Sequence, residues 1–317
     1  MDARCFGNLV PETGVFQGAE QPMDVGLGYA LLTAGIWAAV ACGYGAAARR
    51  RLAMAPFVAV AASLGALLSG LCTVHWAAWP EWRQAVPVAA LVAISGATGH
   101  IGMLLNGVAM TAAPAQHAAT WTMFQMAMII PFLTANLSGR EHALWYKWLA
   151  LPFILAALRS LTPDSEDPKD AAMKRQVWLG LLFAAIVCSG VTQALAQEIS
   201  LRGWRDVLNL RTPVFLGTGG LLLWLVAVSR REYPTRQHWL IGALTGLLVA
   251  AGNLTLFTAL DTCAIVGRAY MVYPVAIGGS ILLFAAYQMV TGKEPCHPRK
   301  VFGLACGLVG VALLSLP

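Results

Sequence analysis

Thr162-Pro-Asp-Ser-Glu-Asp-Pro-Lys-Asp170 is the most polar stretch of the chain after its first 22 residues. Prolines near both ends and a run of acidic residues mark it as an extramembrane linker. It stands almost midway along 317 residues, and its neighbours on both sides are apolar. Upstream lie apolar runs near 144–161, 117–137, 86–110, 54–74 and 25–47. Downstream lie runs near 176–197, 210–229, 238–260, 264–290 and 300–316. A helix needs roughly 20 apolar residues to cross a bilayer. The expected fold class is therefore an all-α integral membrane protein with ten transmembrane helices.

Composition agrees. Hydrophobic residues make up 58% and charged residues 11%, against about 25% charged in soluble domains. The mean hydropathy is +0.66. The net charge of +6 comes from short basic clusters between apolar runs and forms no basic domain. Nucleic acid is therefore not expected as a partner, whereas contact with lipid headgroups is. The seven cysteines show no metal-ligand spacing, so neither a metal site nor a disulfide framework is expected. No cofactor is expected either. Residues 1–23 form a polar tail without the basic start and apolar core of a secretory signal, and Met23 offers a second candidate start.

The linker at 162–175 separates two stretches of similar design, 24–161 and 176–317. Leu27-Gly28 opens the first run and Leu179-Gly180 the sixth, 152 residues apart. Ala109-Met110 ends the third run and Ala259-Leu260 the eighth, 150 apart. Gly139-Arg140-Glu141 closes the fourth and Gly292-Lys293-Glu294 the ninth, 153 apart. Three landmarks in order at nearly one offset imply an internal repeat. Five spans per repeat is an odd number, so the halves must lie in opposite orientation, the inverted-repeat plan of many secondary transporters.

The stretch Arg268-Ala-Tyr-Met-Val-Tyr-Pro-Val-Ala-Ile-Gly-Gly-Ser280 leads through Gly292-Lys-Glu294 to Gly303-Leu-Ala-Cys-Gly-Leu-Val-Gly310. It resembles the ten-helix EamA-like members of the drug/metabolite transporter superfamily, with their proline-containing ninth helix, Gly-Glu-like turn and glycine-rich tenth helix. His117 to Phe124 and Gly139-Arg-Glu141 form a weaker counterpart in the first half. The resemblance covers about 24–316. It implies a multi-pass protein of the plasma (inner) membrane that moves a small organic solute, such as a metabolite, an amino acid or an amphiphilic drug. Two features depart from the family pattern. Pro274 falls opposite Trp121 rather than another proline. The first run has no interior acidic residue, so the proton coupling of the four-helix relatives does not carry over.

Polar side chains at mid-bilayer are costly and face a cavity or a partner helix. His117, Trp121 and Gln125 recur every fourth residue and share one helical face. That strip reads either as a cavity lining or as helix packing. His100 and Asn106 in the third run, Gln193 in the sixth and Asn253 in the eighth are further candidates for substrate binding. Trp37 in the first run, with Tyr44 seven residues on, could supply an aromatic wall. Tyr270 and Tyr273 begin the ninth run, next to Arg268, for which an ion pair with Asp261 is the simpler reading and an anionic substrate group the alternative. Gly303-x-x-x-Gly307 with Gly310 marks a smooth face, suited to packing or to a homodimer surface.

One set of loops carries Arg49, Arg50, Arg51, Arg159, Lys169, Lys174, Arg175, Arg230, Arg231, Arg236, Lys293, Arg299 and Lys300, 13 in all. The other carries Arg4, Arg83, Arg140, Lys147, Arg202, Arg205, Arg211 and Arg268, which is 8. Charge counting places both termini outside; the family resemblance implies both inside. An intramembrane enzyme would need a catalytic constellation, and HExxH, GxSxG and paired aspartates within spans are all missing. A non-transporting membrane partner or sensor is the other alternative, though no long loop accompanies the spans.

Overall fold

The computed structural model describes residues 20–73, 82–112, 117–137, 145–161, 168–201, 210–265, 268–292 and 297–315. Among them every regular element is a helix. Twelve α-helices follow in order: α1 Glu20–Arg49, α2 Met54–Thr73, α3 Trp82–Ala112, α4 His117–Gln125, α5 Ile129–Leu137, α6 Trp145–Trp148, α7 Ala150–Leu161, α8 Pro168–Leu201, α9 Arg211–Ser229, α10 Arg236–Ile265, α11 Val272–Val290 and α12 Pro298–Ser315. Two 3₁₀ turns, Met126–Met128 and Ala269–Met271, join α4 to α5 and lead into α11. Seven helices, α1, α2, α3, α8, α9, α10 and α11, are long and apolar enough to cross a membrane. The chain is therefore a multi-pass α-helical membrane protein.

Proline placement explains many of the helix starts. Pro56, Pro131, Pro152, Pro213 and Pro274 each stand third in their helix, and Pro168 and Pro298 stand first. The first four N–H groups of a helix have no intrahelical acceptor, so a proline there removes no bond and presets φ. Pro131 and Pro152 also account for breaks. Each lacks the N–H that would continue the preceding helix, and the chain passes through the 3₁₀ turn at 126–128 and the interruption at Leu149.

Three boundaries differ from the sequence reading. Helix α1 starts at Glu20, inside the expected tail. Helix α8 starts at Pro168, so 168–175 of the expected linker are its first turns. Residues 264 and 265 end α10 rather than opening the ninth run. The Gly-Arg-Glu landmark at 139–141 and most of the tail lie outside the described residues.

Helices ending or starting at Arg49, Met54, Ser229, Arg236 and Val290 define one end of the bundle, rich in arginine. Two helices stop there on arginines in the left-handed region, Arg51 (φ 52°) and Arg231 (φ 56°). In both turns the following N–H bonds back to a carbonyl five residues earlier, Leu52 to Ala47 and Glu232 to Ala227. This is the cap usually built on glycine. The arginine accepts some backbone strain and sets a positive charge against the negative end of the helix dipole.

The most extensive helix contacts are between helices distant in sequence. α1 packs on α10 and α11, α3 on α8 and α9, α2 on α9 and α10, and α7 on α12. Glycines let these backbones close up. A Cβ on Gly96 would strike the Phe215 carbonyl, and one on Gly246 the Ala61 carbonyl. Gly102 lies against Cys188 and Ser189, and Gly252 against Ile36 and Trp37. Gly65 approaches Ala250, and Gly219 holds the ring of His100. Gly307 of the smooth α12 face packs within the chain, against Met126 and Ala157.

Candidate functional site

A central cavity of about 90 Å³ opens where α1, α2, α3, α4, α8, α9, α10 and α11 converge. A water needs roughly 10–15 Å³ by this measure, so the space holds several waters or a small organic solute. Trp37, His100, Gln125, Gln193, Asn253 and Tyr273 line it. So do Tyr44, Phe124, Phe215, Phe257, Thr33, Ser189, Thr192 and Ser280. No Asp, Glu, Lys or Arg is among the described lining residues. Such a surface offers aromatic faces and neutral hydrogen-bonding groups.

The polar groups are held by their own helices. The His100 Nδ1–H donates to the Gly96 carbonyl at 2.8 Å, because a carbonyl can only accept. Its Nε2 is then the acceptor nitrogen. The ring is fixed between Gly219 and Phe215, 5.3 Å from the latter. Asn253 Nδ2 donates to the Val249 carbonyl at 2.9 Å. Gln193 Nε2 donates to Ser189 Oγ at 3.3 Å, leaving Gln193 Oε1 buried without a protein partner. The Tyr273 hydroxyl donates to the Gln193 carbonyl at 3.2 Å and ties α11 to α8. A buried acceptor with no partner is uncommon and suits a bound water or solute.

The strip on α4 does not face the cavity along its length. Only Gln125 lines it. Trp121 is fully buried among aromatic rings, 6.4 Å from Trp37, 6.4 Å from Tyr44, 5.7 Å from Phe124 and 6.2 Å from Phe284. His117 lies beyond it, and its Nδ1 accepts from Arg49 Nη1 at 3.3 Å. His117, Arg49 and the unpartnered amide of Gln288 surround Gly45. From the cavity towards the arginine-rich end, the layers are Gln125 with Ser280, then Trp121 with Phe284 and Tyr44, then His117 with Gln288. The middle layer is an aromatic plug.

Towards the opposite end lies an ion pair. Arg211, first residue of α9, is 2% exposed and pairs with Asp261 of α10 at 3.1 Å, which is 26% exposed. Its Nη1 also donates to Ser200 Oγ at 2.9 Å, and its Nη2 to the Ala196 carbonyl. The guanidinium stacks on Phe257, 4.0 Å from the ring centroid. Phe257, Ala196 and Tyr273 all line the cavity, so this pair lies one side chain beneath its floor.

Sequence reasoning placed Arg211 among loop charges, because it stands at the edge of an apolar run. It is buried instead, and the lighter face of the charge count falls from 8 to 7. Asp261, expected to pair with Arg268, is bound by Arg211. Asn106 is fully buried outside the cavity wall, with neither amide atom partnered. The Tyr270 side chain lies outside the described residues. Phe215 and Phe257 were not singled out, since a phenylalanine in an apolar run carries no signal of its own.

No family model and no curated protein matches the chain. Thirteen chains of solved structures do. One crystal structure matches over 92% of this chain and 96% of its own, with TM-score 0.58 and 17% sequence identity. At that identity the likeness establishes a shared fold, which extends over nearly the whole of both chains.

Proposed function

We propose that the protein is a secondary transporter for a small organic solute, built from ten spans in two inverted five-helix halves and working by alternating access. In this reading α4 with α5 forms the fourth span, α6 with α7 the fifth and α12 the tenth. The helix pairing supports it. Exchanging each span for its counterpart five places away turns α1 on α10 into α8 on α3, and α2 on α10 into α9 on α3. It turns α1 on α11 into α8 on α4 and α5. All are neighbours.

The glycine contacts support the same exchange residue by residue. Gly102 and Gly252 are 150 apart; their neighbours Cys188 and Ser189 are 152 beyond Ile36 and Trp37. Gly96 and Gly246 are 150 apart, and Phe215 and Ala61 are 154 apart. Gly65 and Gly219 are 154 apart, while Ala250 and His100 are 150 apart.

The carrying observation is the cavity at the junction of these halves, closed by a different layer at each end. Inverted-repeat carriers bind substrate near the midplane at the repeat interface. The lining favours an aromatic or amphiphilic solute, neutral or with its charge outside the wall. Export or exchange is the expected mode, in the plasma (inner) membrane. Metabolite profiles of cells with and without the protein would identify the solute, and uptake into proteoliposomes would test it. Gln125→Ala and Trp121→Ala are expected to impair that uptake in protein that still inserts. Full uptake by both variants would remove the cavity from the transport route. Proteoliposomes that move none of the differing metabolites would favour a non-transporting partner.

A further inference from the structure

Three side chains of the cavity wall spend their N–H groups in the same way. His100 Nδ1–H donates to the Gly96 carbonyl at 2.8 Å, Asn253 Nδ2–H to the Val249 carbonyl at 2.9 Å, and Gln193 Nε2–H to Ser189 Oγ at 3.3 Å. Each bond reaches back four residues along its own helix, where helical spacing puts a neighbour. For His100 and Asn253 the assignment is forced, because a backbone carbonyl can only accept. What each side chain leaves for an occupant is an acceptor: His100 Nε2, Asn253 Oδ1 and the buried, unpartnered Gln193 Oε1. We infer that the cavity selects an uncharged, planar aromatic solute carrying N–H groups, which these acceptors read while aromatic side chains pack on its ring. This recognition rests on the transport reading and names the solute class of that site.

The wall's hydroxyls are largely committed. Thr33, Thr192 and Ser280 donate to carbonyls of their own helices, and Tyr273 to the Gln193 carbonyl. Tyr44, Ser189 and Gln125 carry groups that can donate or accept, so they adapt to an occupant rather than choose it. The Trp37 indole N–H can only donate, and it packs against Gly252. A solute with acceptors alone would leave His100, Asn253 and Gln193 unpaired in a dry site. A pocket built on such groups rejects the analogue that lacks their partner. Trp37, Phe215 and Phe257 supply rings on the same space, and aromatic pairs gain beyond the area they bury.

Acceptors and rings would suit an organic cation equally. Charge decides against it. No carboxylate stands among the described lining residues, and a cation in a dry site without a counter-charge is costly. The ring of Phe257 already carries the Arg211 guanidinium, 4.0 Å from its centroid. An anion is disfavoured for the complementary reason, since the three oriented groups are acceptors. They come from α3 in one proposed half and from α8 and α10 in the other, so a solute bonded to all three bridges the halves.

Benzamide is the probe. N,N-dimethylbenzamide and methyl benzoate keep its ring and carbonyl without N–H, and benzamidinium and benzoate keep its shape with a charge. Ser280→Cys places a reporter thiol in the cavity wall, on a helix without native cysteine. The purified full chain in detergent is labelled with N-ethylmaleimide at rising probe concentration, and the modified peptide is quantified by mass. Benzamide should protect the thiol at roughly tenfold lower concentration than each of the others. The rise in unfolding temperature of the unsubstituted protein should follow the same ranking. Asn253→Leu and Gln193→Met each remove one acceptor at similar volume, and either should bring benzamide severalfold closer to the ester. Equal protection by amide and ester overturns selection of donors, and benzamidinium as the strongest probe overturns the exclusion of charge; both leave transport standing. Protection by no probe overturns binding of this class. Amide-selective protection, in a protein whose proteoliposomes move none of the differing metabolites, keeps the recognition and overturns transport instead.

Discussion

The two ends of the cavity solve one problem with different chemistry. At the arginine-rich end, Trp121 packs against Phe284 and Tyr44, and Tyr44 meets Phe57 edge-on at 5.2 Å. At the other end, Arg211 bonds Asp261, Ser200 and the Ala196 carbonyl. Under the proposed repeat Phe57 and Arg211 are counterparts, as are Tyr44 and Ala196, at offsets of 154 and 152. Related backbone positions thus carry an aromatic contact in one half and a charged one in the other. Ring packing is tolerant of small slides and insensitive to protons. An ion pair in a dry site is directional and depends on the charge of both partners. A carrier with such ends would have one end that yields to shape and one that yields to charge.

The sharpest way to break the contrast is to strand the arginine. Asp261→Ala should lower stability by about 3–5 kcal/mol, as for other broken buried pairs, read as a fall in unfolding temperature in detergent. Arg211→Met should cost less, because the partly exposed carboxylate regains water. Equal losses would mean that the pair is hydrated on both sides.

At the aromatic end, Trp121→Ala should cost about 3 kcal/mol by leaving a cavity. With a reporter thiol placed in the cavity wall by Ser280→Cys, it should raise labelling by a membrane-impermeant maleimide from the arginine-rich face. Unchanged access would remove Trp121 from the gate. Next in size are the glycines. Gly96→Ala and Gly246→Ala each drive a methyl into a backbone carbonyl and should cost about 1–3 kcal/mol, with matching losses if the halves are equivalent. A large loss in one and none in the other would count against the repeat. The smallest effect belongs to His117→Ala, about 1 kcal/mol for its bond to Arg49, read as a fall in unfolding temperature.

Much of the fold was legible because lipid imposes a simple rule. Where no water can satisfy the backbone, an apolar run must be helical, and the ten runs are helical over their described residues except at Leu149 and Arg268. Propensity and proline then set the ends. The errors came where a polar stretch was equated with a loop: 168–175 is polar and helical, since Pro168 starts a helix well and a helix can project beyond the bilayer. The site was legible where polarity inside a run was the clue, as at His100, Gln125, Gln193 and Asn253. It was less so on α4. The i, i+4, i+8 spacing correctly put His117, Trp121 and Gln125 on one face, but that face runs along the axis of the cavity. The three residues therefore fall into successive layers, and only one reaches the space.

Hydropathy alone, then, determined that the chain crosses the membrane as helices. The offsets between its landmarks pointed to two related halves. Tertiary structure decided which charges are buried and which aromatic groups face a space. Arg211 and Asp261 are 50 residues apart and each stands near the end of an apolar run, where sequence reads a headgroup contact. Only the packing of α8, α9, α10 and α11 brings them together beneath the cavity, because burial is a property of what surrounds a residue and not of the residue itself.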